Sequence, residues 1–176
     1  FEQKRILITG GAGFIGGAVI RELLKNSSYK IYNVDKYGYA SDLFSIKKTL
    51  KQLELENSDR HIFINIDLTN ASDTESAVKL ADPDYVMHLA AESHVDRSIK
   101  NPKEFINSNI IGTFNILESS RNHFNKLPKE RKNQFRFQHI STDEVFGSLN
   151  NLGKFNELSR YDPRSPYSAS KASSDH

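Results

Sequence analysis

Cysteine is absent from all 176 residues, so disulfides, thiolate metal ligands and cysteine nucleophiles are impossible. No apolar run approaches the roughly 20 residues that a membrane-spanning helix needs. Nothing resembles a signal peptide, which makes a reducing cytoplasm the default expectation. No sign of charge dominates: 24 basic residues stand against 22 acidic ones, for a formal net charge of +2. The charges are mixed along the chain and point to no particular partner. The most basic stretch, 126–136, lacks aromatic or glycine interleaving, so it reads as a solvated loop and no nucleic-acid partner is expected. No His/Asp/Glu set has metal-ligand spacing, and no metal is expected. Internal repeats and low-complexity linkers are also missing.

What is present argues for a folded domain. Hydrophobic residues make up 37% and aromatic residues 10%, too much apolar surface for wholesale disorder. The length suits one domain. The chain opens on Phe1 and stops at Ser173-Ser174-Asp175-His176 without a terminating signal, so residues 1–176 are expected to be one incomplete domain of a longer protein. Strands are predicted at 5–9, 30–35, 61–67, 84–90 and 135–141, several of them apolar on both faces. Helical spacing separates them. In 14–25, Ile15, Val19 and Leu23 form a stripe with Ile20 and Leu24 beside it; in 105–122, Ile106, Ile110, Phe114 and Leu117 recur every three or four residues. This alternation predicts a doubly wound parallel α/β sheet with right-handed crossovers.

The first strand runs into Thr9-Gly10-Gly11-Ala12-Gly13-Phe14-Ile15-Gly16. The glycines read as G-x-x-G-x-x-G on Gly10, Gly13 and Gly16, or as G-x-G-x-x-G from Gly11. An early glycine allows a tight turn, Gly13 lets backbone approach a pyrophosphate, and Gly16 lets the helix pack on the sheet. The helix N-terminus then faces the phosphates. Strand before and helix after are the context that gives the pattern weight, and the fold class becomes Rossmann-type. Asp35 closes the second strand. A carboxylate there accepts from a ribose diol and repels a 2′-phosphate, which favours NAD over NADP. Lys36 beside it is a potential phosphate partner.

Chemistry-bearing residues gather after the fourth and fifth strands and near the end. In Ser165-Pro166-Tyr167-Ser168-Ala169-Ser170-Lys171, Pro166 suits a first helical turn, and Tyr167 and Lys171 share a face. An ammonium beside a phenol favours phenolate, a base able to take a proton from a sugar hydroxyl as hydride leaves the same carbon. The fifth strand ends in Ser141-Thr142-Asp143-Glu144, at the strand ends where such sheets bind ligands. Simple dehydrogenation or epimerisation needs a hydroxyl there and the Tyr–Lys pair. Two further carboxyls make sense if a carbon-bound proton must be removed and a leaving hydroxyl protonated; capping of the next turn is the structural alternative. His94 reads as structural or substrate-flanking, and His88 and His139 as packing residues within strands.

At this point the sequence resembles the nucleotide-binding half of the dTDP-glucose 4,6-dehydratases, a family of extended short-chain dehydrogenase/reductases. The matching words are TGGAGFIG at 9–16, LAAESHVDRSI at 89–99, STDEVFG at 141–147 and SPYSASKASSDH at 165–176. Related epimerases and decarboxylases share the glycine turn and Tyr-x-x-x-Lys but usually lack the Asp-Glu pair after Thr. The resemblance implies that Tyr167, helped by Lys171 and Thr142, takes the C4 hydroxyl proton while NAD takes the C4 hydride. It implies Glu144 as base at C5 and Asp143 as acid for the C6 hydroxyl. The product is a 4-keto-6-deoxy sugar nucleotide of deoxysugar biosynthesis. It further implies cofactor contacts at Gly10, Gly13, Phe14, Ile15, Gly16, Asp35, Lys36, Asp67, Leu68, Leu89, Ala90, Ala91, Ser93, Ser108, Tyr167 and Lys171. Ser93 and Thr142 would also touch the hexose of a dTDP-glucose substrate. Gly38 departs from the family pattern and removes a hydroxyl from the ribose side. The resemblance implies a homodimer at full length, with 105–122 and the helix from Pro166 as interface elements. It also implies a missing C-terminal sugar-nucleotide domain, without which this piece is expected to be inactive. UDP- or CDP-glucose dehydratase, 4-epimerase and a non-catalytic NAD-binding module remain open.

Overall fold

The computed structural model describes residues 3–149 and 153–176; Phe1 lies outside them. Five strands form one parallel sheet in the order β3-β2-β1-β4-β5. They are β1 (Arg5–Thr9), β2 (Lys30–Asp35), β3 (His61–Asn65), β4 (Tyr85–His88) and β5 (Arg136–His139). The helices between them are α1 (Phe14–Asn26), α2 (Phe44–Gln52), α3 (Ala71–Ala81), α4 (Val95–Lys100), α5 (Pro102–Phe105), α6 (Gly112–Lys126) and α7 (Lys129–Gln134), with α8 (Pro166–Asp175) last. Both faces of β1 are apolar, and the core is correspondingly double. Ile6 and Ile8 pack with Ile31, Ile20 and Leu24 of α1 and Ile46 of α2. Leu7 packs on the other side with Val34, Val86, Ala77, Val78 and Ala81 of α3 and Ile116 of α6. This is the doubly wound arrangement that strands apolar on both faces require. The last three strands are shorter than their apolar runs: residues 66–67, 89–90 and 140–141 leave the ladder. They form the rim of the cleft described below.

The helical stripe expected over 105–122 does not face the core. Ile106 and Phe114 of that stripe are 50% and 60% exposed, Leu117 is exposed and Ile110 is half-buried; Ile111 beside it is exposed too. The buried face is instead Asn109, Gly112, Thr113, Asn115, Ile116, Ser119 and Ser120. A π-helical turn, Ile106–Ile111, precedes α6 and interrupts the helical phase on which the stripe was counted. Inside, small residues allow close approach, as where Gly112 abuts Leu68. Asn115 Nδ2 donates to the Leu68 and Thr69 carbonyls at 2.7 and 3.1 Å, whereas the buried Ser120 Oγ has no hydrogen-bond partner among the described residues. In α1 likewise, Ile20 and Leu24 are buried while Ile15 is exposed.

His88 joins three elements. Its Nδ1 lies 2.6 Å from Thr9 Oγ1 and its Nε2 lies 2.9 Å from Thr113 Oγ1, and its ring stacks on His139. Burial, with a smaller contribution from the charges of His139 and Lys171, pushes its pKa down to about 3. Burial alone pushes His61 down to about 4.

Two outcomes are expected. Replacing Asn115 with Ala leaves two carbonyls without their buried donor and should destabilise by about 1–3 kcal/mol in urea unfolding; a change within about 0.5 kcal/mol would show that the polar face is not structural. The folded pKa of His88 lies below its unfolded value near 6.5, so the unfolded chain takes up the proton first. The stability it contributes is present above pH ~6.5 and lost as pH falls toward the folded value. Stability should therefore drop between pH ~6.5 and ~4, more steeply in the parent than in His88→Gln. Equal slopes in the two proteins would remove His88 as the cause.

Candidate active site

The site begins where β1 ends. Gly10 has φ +71°, and a Cβ there would lie 2.7 Å from the Ala90 backbone nitrogen, so glycine is required both by conformation and by space. Gly10 N donates to Val34 O at 2.8 Å, which ties the turn to β2. At Gly16 a Cβ would come within 2.2 Å of Gly10 O; its absence lets α1 start directly against the turn. Gly13 caps α1 without a side chain, and the first turn carries no acid. The exposed N–H groups of that turn suit an anion, and Phe14 and Ile15 stand exposed beside them.

At the end of β2, Asp35 is held by three donors. Ala12 N reaches Oδ2 at 3.1 Å, while Tyr37 N and Ser41 Oγ reach Oδ1 at 2.8 and 3.0 Å. Ser41 thus supplies a hydroxyl on the side where Gly38 lacks one. The opposite wall is the segment after β4. Ala90 N donates to Thr9 Oγ1 at 3.1 Å. Asn109 accepts from Glu92 N at 2.8 Å and donates to Glu92 O at 2.9 Å and to Ser170 Oγ at 2.8 Å. One buried amide therefore fixes the loop and links it to α8.

These walls enclose a cleft of about 430 Å³. Gly10, Gly13, Phe14, Ile15, Gly16, Asp35, Lys36, Asp67, Leu68, Leu89, Ala90, Ala91, Ser93, Ser108, Tyr167 and Lys171 all line it. Sequence reasoning missed Tyr39, Ala40, Ile66, Ile140 and Ser141, which line it too. Ile66 directly precedes Asp67, and Ile140 and Ser141 directly follow β5; position at a strand end was the available signal. His94 lines the cleft from the start of α4.

The helix α8 starts from a capping box in which Ser165 Oγ accepts from Ser168 N at 3.0 Å and Ser168 Oγ accepts from Ser165 N at 2.9 Å. Tyr167 and Lys171 are 8% and 4% exposed. Lys171 Nζ donates to Ile140 O at 2.6 Å, and burial lowers its pKa against the opposing charge of Asp175. Tyr167 packs edge-on to Phe105. Burial raises the phenol, the Thr142 hydroxyl bonded to it lowers it, and Glu144 and Asp143 raise it further. The net direction is upward, opposite to the one expected from an adjacent ammonium, chiefly because the phenol is buried; the charges that act on it are carboxylates, and Lys171 donates to the Ile140 carbonyl instead. Thr142 also accepts from Glu144 N at 3.3 Å and so opens the 3₁₀ turn Asp143–Phe146. The cap is therefore threonine, while Asp143 and Glu144 present exposed carboxylates beside Tyr167. His139, lowered by burial and by Lys171, contacts Asp175 at 3.1 Å and supports α8 from behind.

Several known proteins of similar sequence and fold are named alike. A dTDP-glucose 4,6-dehydratase of Neisseria meningitidis serogroup B is 48% identical across 99% of this chain and 48% of its own length. The dTDP-glucose 4,6-dehydratase 1 of Escherichia coli K12 is also 48% identical, across 98% of this chain and 48% of its own. The chain thus spans about half the length of the curated relatives it matches. A Streptomyces venezuelae dTDP-glucose 4,6-dehydratase solved with NAD and TYD bound has a TM-score of 0.79 at 35% identity, covering 97% of this chain and 49% of that one. The Bacillus anthracis enzyme solved with NAD gives 0.77 at 33%, over 98% and 48%. The model of the GDP-mannose 4,6 dehydratase family matches residues 7–176, and the chain belongs to that family.

Proposed function

We propose that this chain is the cofactor half of an NAD-dependent dTDP-glucose 4,6-dehydratase, a cytoplasmic enzyme of deoxysugar biosynthesis. The observation that carries this reading is that Thr142 bonds to Tyr167 and that Asp143 and Glu144 act on the same phenol, directly after Ser141 at the wall of the cleft. The residues fit NAD. The uncapped first turn of α1 suits the pyrophosphate, Asp35 with Ser41 suits a ribose diol, and Asp67 and Leu68 border the adenine end. When bound, NAD supplies the hydride acceptor for C4 and the hydride donor for C6.

The chain's own residues then handle protons. Tyr167 takes the proton of the C4 hydroxyl; the Thr142 hydroxyl is the partner that favours its phenolate, against burial and the two carboxylates. Lys171 anchors that helix turn to the end of β5. Once C4 is a ketone the C5 proton is acidic, and Glu144 removes it as general base. Asp143 gives its proton to the C6 hydroxyl, which departs as water. Glu144 returns its proton to C5, so the sugar loses one water, and the proton Tyr167 gained balances the one Asp143 gave up. Ser93 lines the same cleft as Tyr167 and would hold the hexose together with Thr142. Nucleotide selectivity falls to a further domain that this half lacks, so residues 1–176 alone should not turn over.

A 4-epimerase is the competing reading, favoured by likeness to a Thermotoga maritima UDP-glucose 4-epimerase at TM-score 0.78 and 27% identity. The two carboxylates beside Tyr167 are surplus to epimerisation. In the full-length enzyme, Glu144→Gln should lower kcat for 4-keto-6-deoxyglucose formation by about 10²–10⁴-fold with NAD binding retained. Exchange of the C5 hydrogen with deuterated solvent should be lost in parallel. Conversion of dTDP-glucose only to its 4-epimer by the parent enzyme would establish the competing reading.

Self-association follows from the exposed apolar face of Ile106, Ile111, Phe114 and Leu117, a patch that monomeric proteins normally cover. We assign it to a homodimer contact beside α8. Phe114→Lys should shift the full-length protein from dimer to monomer in sedimentation analysis; an unchanged mass would place the contact elsewhere.

A further inference from the structure

We propose that Glu92 is a cofactor-specificity residue: it holds the Lys36 ammonium and so denies a 2′-phosphate the cation that follows Asp35. This rests on the reading of the cleft as a dinucleotide site. Lys36 follows Asp35 directly, and a lysine at that point is a plausible phosphate handle on sequence grounds alone. In the fold its Nζ lies 3.1 Å from Glu92 Oε1. The contact joins the end of β2 to the segment after β4, across the turn that follows β1.

Glu92 is a firm partner. Its side chain is 11% exposed against 42% for Lys36, and its own backbone N–H and carbonyl are both pinned by Asn109. Withdrawing Lys36 would leave a mostly buried carboxylate uncompensated, which is unfavourable. The remaining charges give no substitute. The cleft wall carries Asp35, Asp67 and Glu92 against Lys36 and Lys171, and Lys171 is buried on the Ile140 carbonyl. Arg97, nearby, stacks over Tyr39 at 3.9 Å and faces Glu104. An incoming 2′-phosphate would therefore meet Asp35 with every neighbouring cation engaged. Removing the charge of Glu92 alone converts Lys36 into an available phosphate donor set and makes the wall one unit less negative.

The test compares affinities for NAD and NADP by isothermal titration in the full-length protein, its Glu92→Gln variant, Lys36→Met and the double variant. Glu92→Gln should improve NADP binding relative to NAD by about tenfold, as expected for one nearby unit charge, and the gain should shrink in high salt. The double variant should show no such gain, because the gain works through Lys36. An unchanged NADP/NAD ratio in a Glu92→Gln protein that still binds NAD overturns the inference, as does a gain that persists without Lys36. If Glu92→Gln does not fold, Lys36→Met decides: loss of the parent's residual NADP affinity would show that the ammonium was already serving phosphate and would overturn the proposal, while retention supports it. Failure of the parent protein to bind NAD at all is a different result, and it counts against the cofactor reading itself.

Discussion

The backbone contact between Gly10 and Ala90 is the constraint on which the site depends. Only a residue without Cβ fits there, since the added atom would lie 2.7 Å from the Ala90 nitrogen. At that point the connection from β1 turns to one face of the sheet and the connection from β4 to the other. A crevice must open between them, at the switch point where open α/β sheets bind ligands. Thr9 reinforces it by accepting from Ala90 N while contacting His88. The buried His88 then carries the join to Thr113 of α6. The floor of the cleft and the outer helix are thereby set by one polar chain in the core. Its imidazole is neutral, because burial disfavours the charged form.

A second polar junction positions the chemistry. Asn109 holds both backbone groups of Glu92 and also reaches Ser170 on α8. The wall of the cleft and the helix bearing Tyr167 and Lys171 thus move together. From the other side, Asp175 accepts from Ser141 Oγ at 2.7 Å and Tyr161 OH at 3.1 Å, fixing α8 against the segment that leads into Thr142. The residues proposed to react come from two elements, α8 and the turn after β5, and the hydrogen bond between Thr142 and Tyr167 is where the two meet. Loose registration there would separate the proton acceptor from the acid and base, since proton transfer demands contact within hydrogen-bond range.

Much of this was legible from residue order. β1 and β2 have the bounds their apolar runs predict, and the glycine turn, Asp35 and the Pro166 helix start lie where their local chemistry requires. Those features are set by short-range sterics, which sequence reports directly. The polarity of α6 was not legible. An apolar stripe at helical spacing is ordinarily the core face, but here Asn109, Thr113 and Asn115 face inward because their partners are the Leu68, Thr69 and Glu92 backbones and His88. Nothing local to α6 announces those partners. The π-helical turn at Ile106–Ile111 adds a phase shift that counting cannot detect. The sign of the Tyr167 shift failed for a similar reason: adjacency on a helix says that Tyr167 and Lys171 share a face, but not that Ile140 O claims the ammonium.

The same distinction explains why neighbouring charges in a sequence are poor guides to a site's electrostatics. Asp35 and Lys36 read as a mixed signal, one acid against a 2′-phosphate and one base for it. The fold separates them, giving Asp35 three donors of its own and giving Lys36 to Glu92 from another strand connection. The ion pair, buried at its carboxylate and half-exposed at its ammonium, decides which charges a ligand meets. In this cleft, stability and selectivity rest on different contacts: glycine sterics and buried amides hold the walls, while a long-range ion pair sets the field between them.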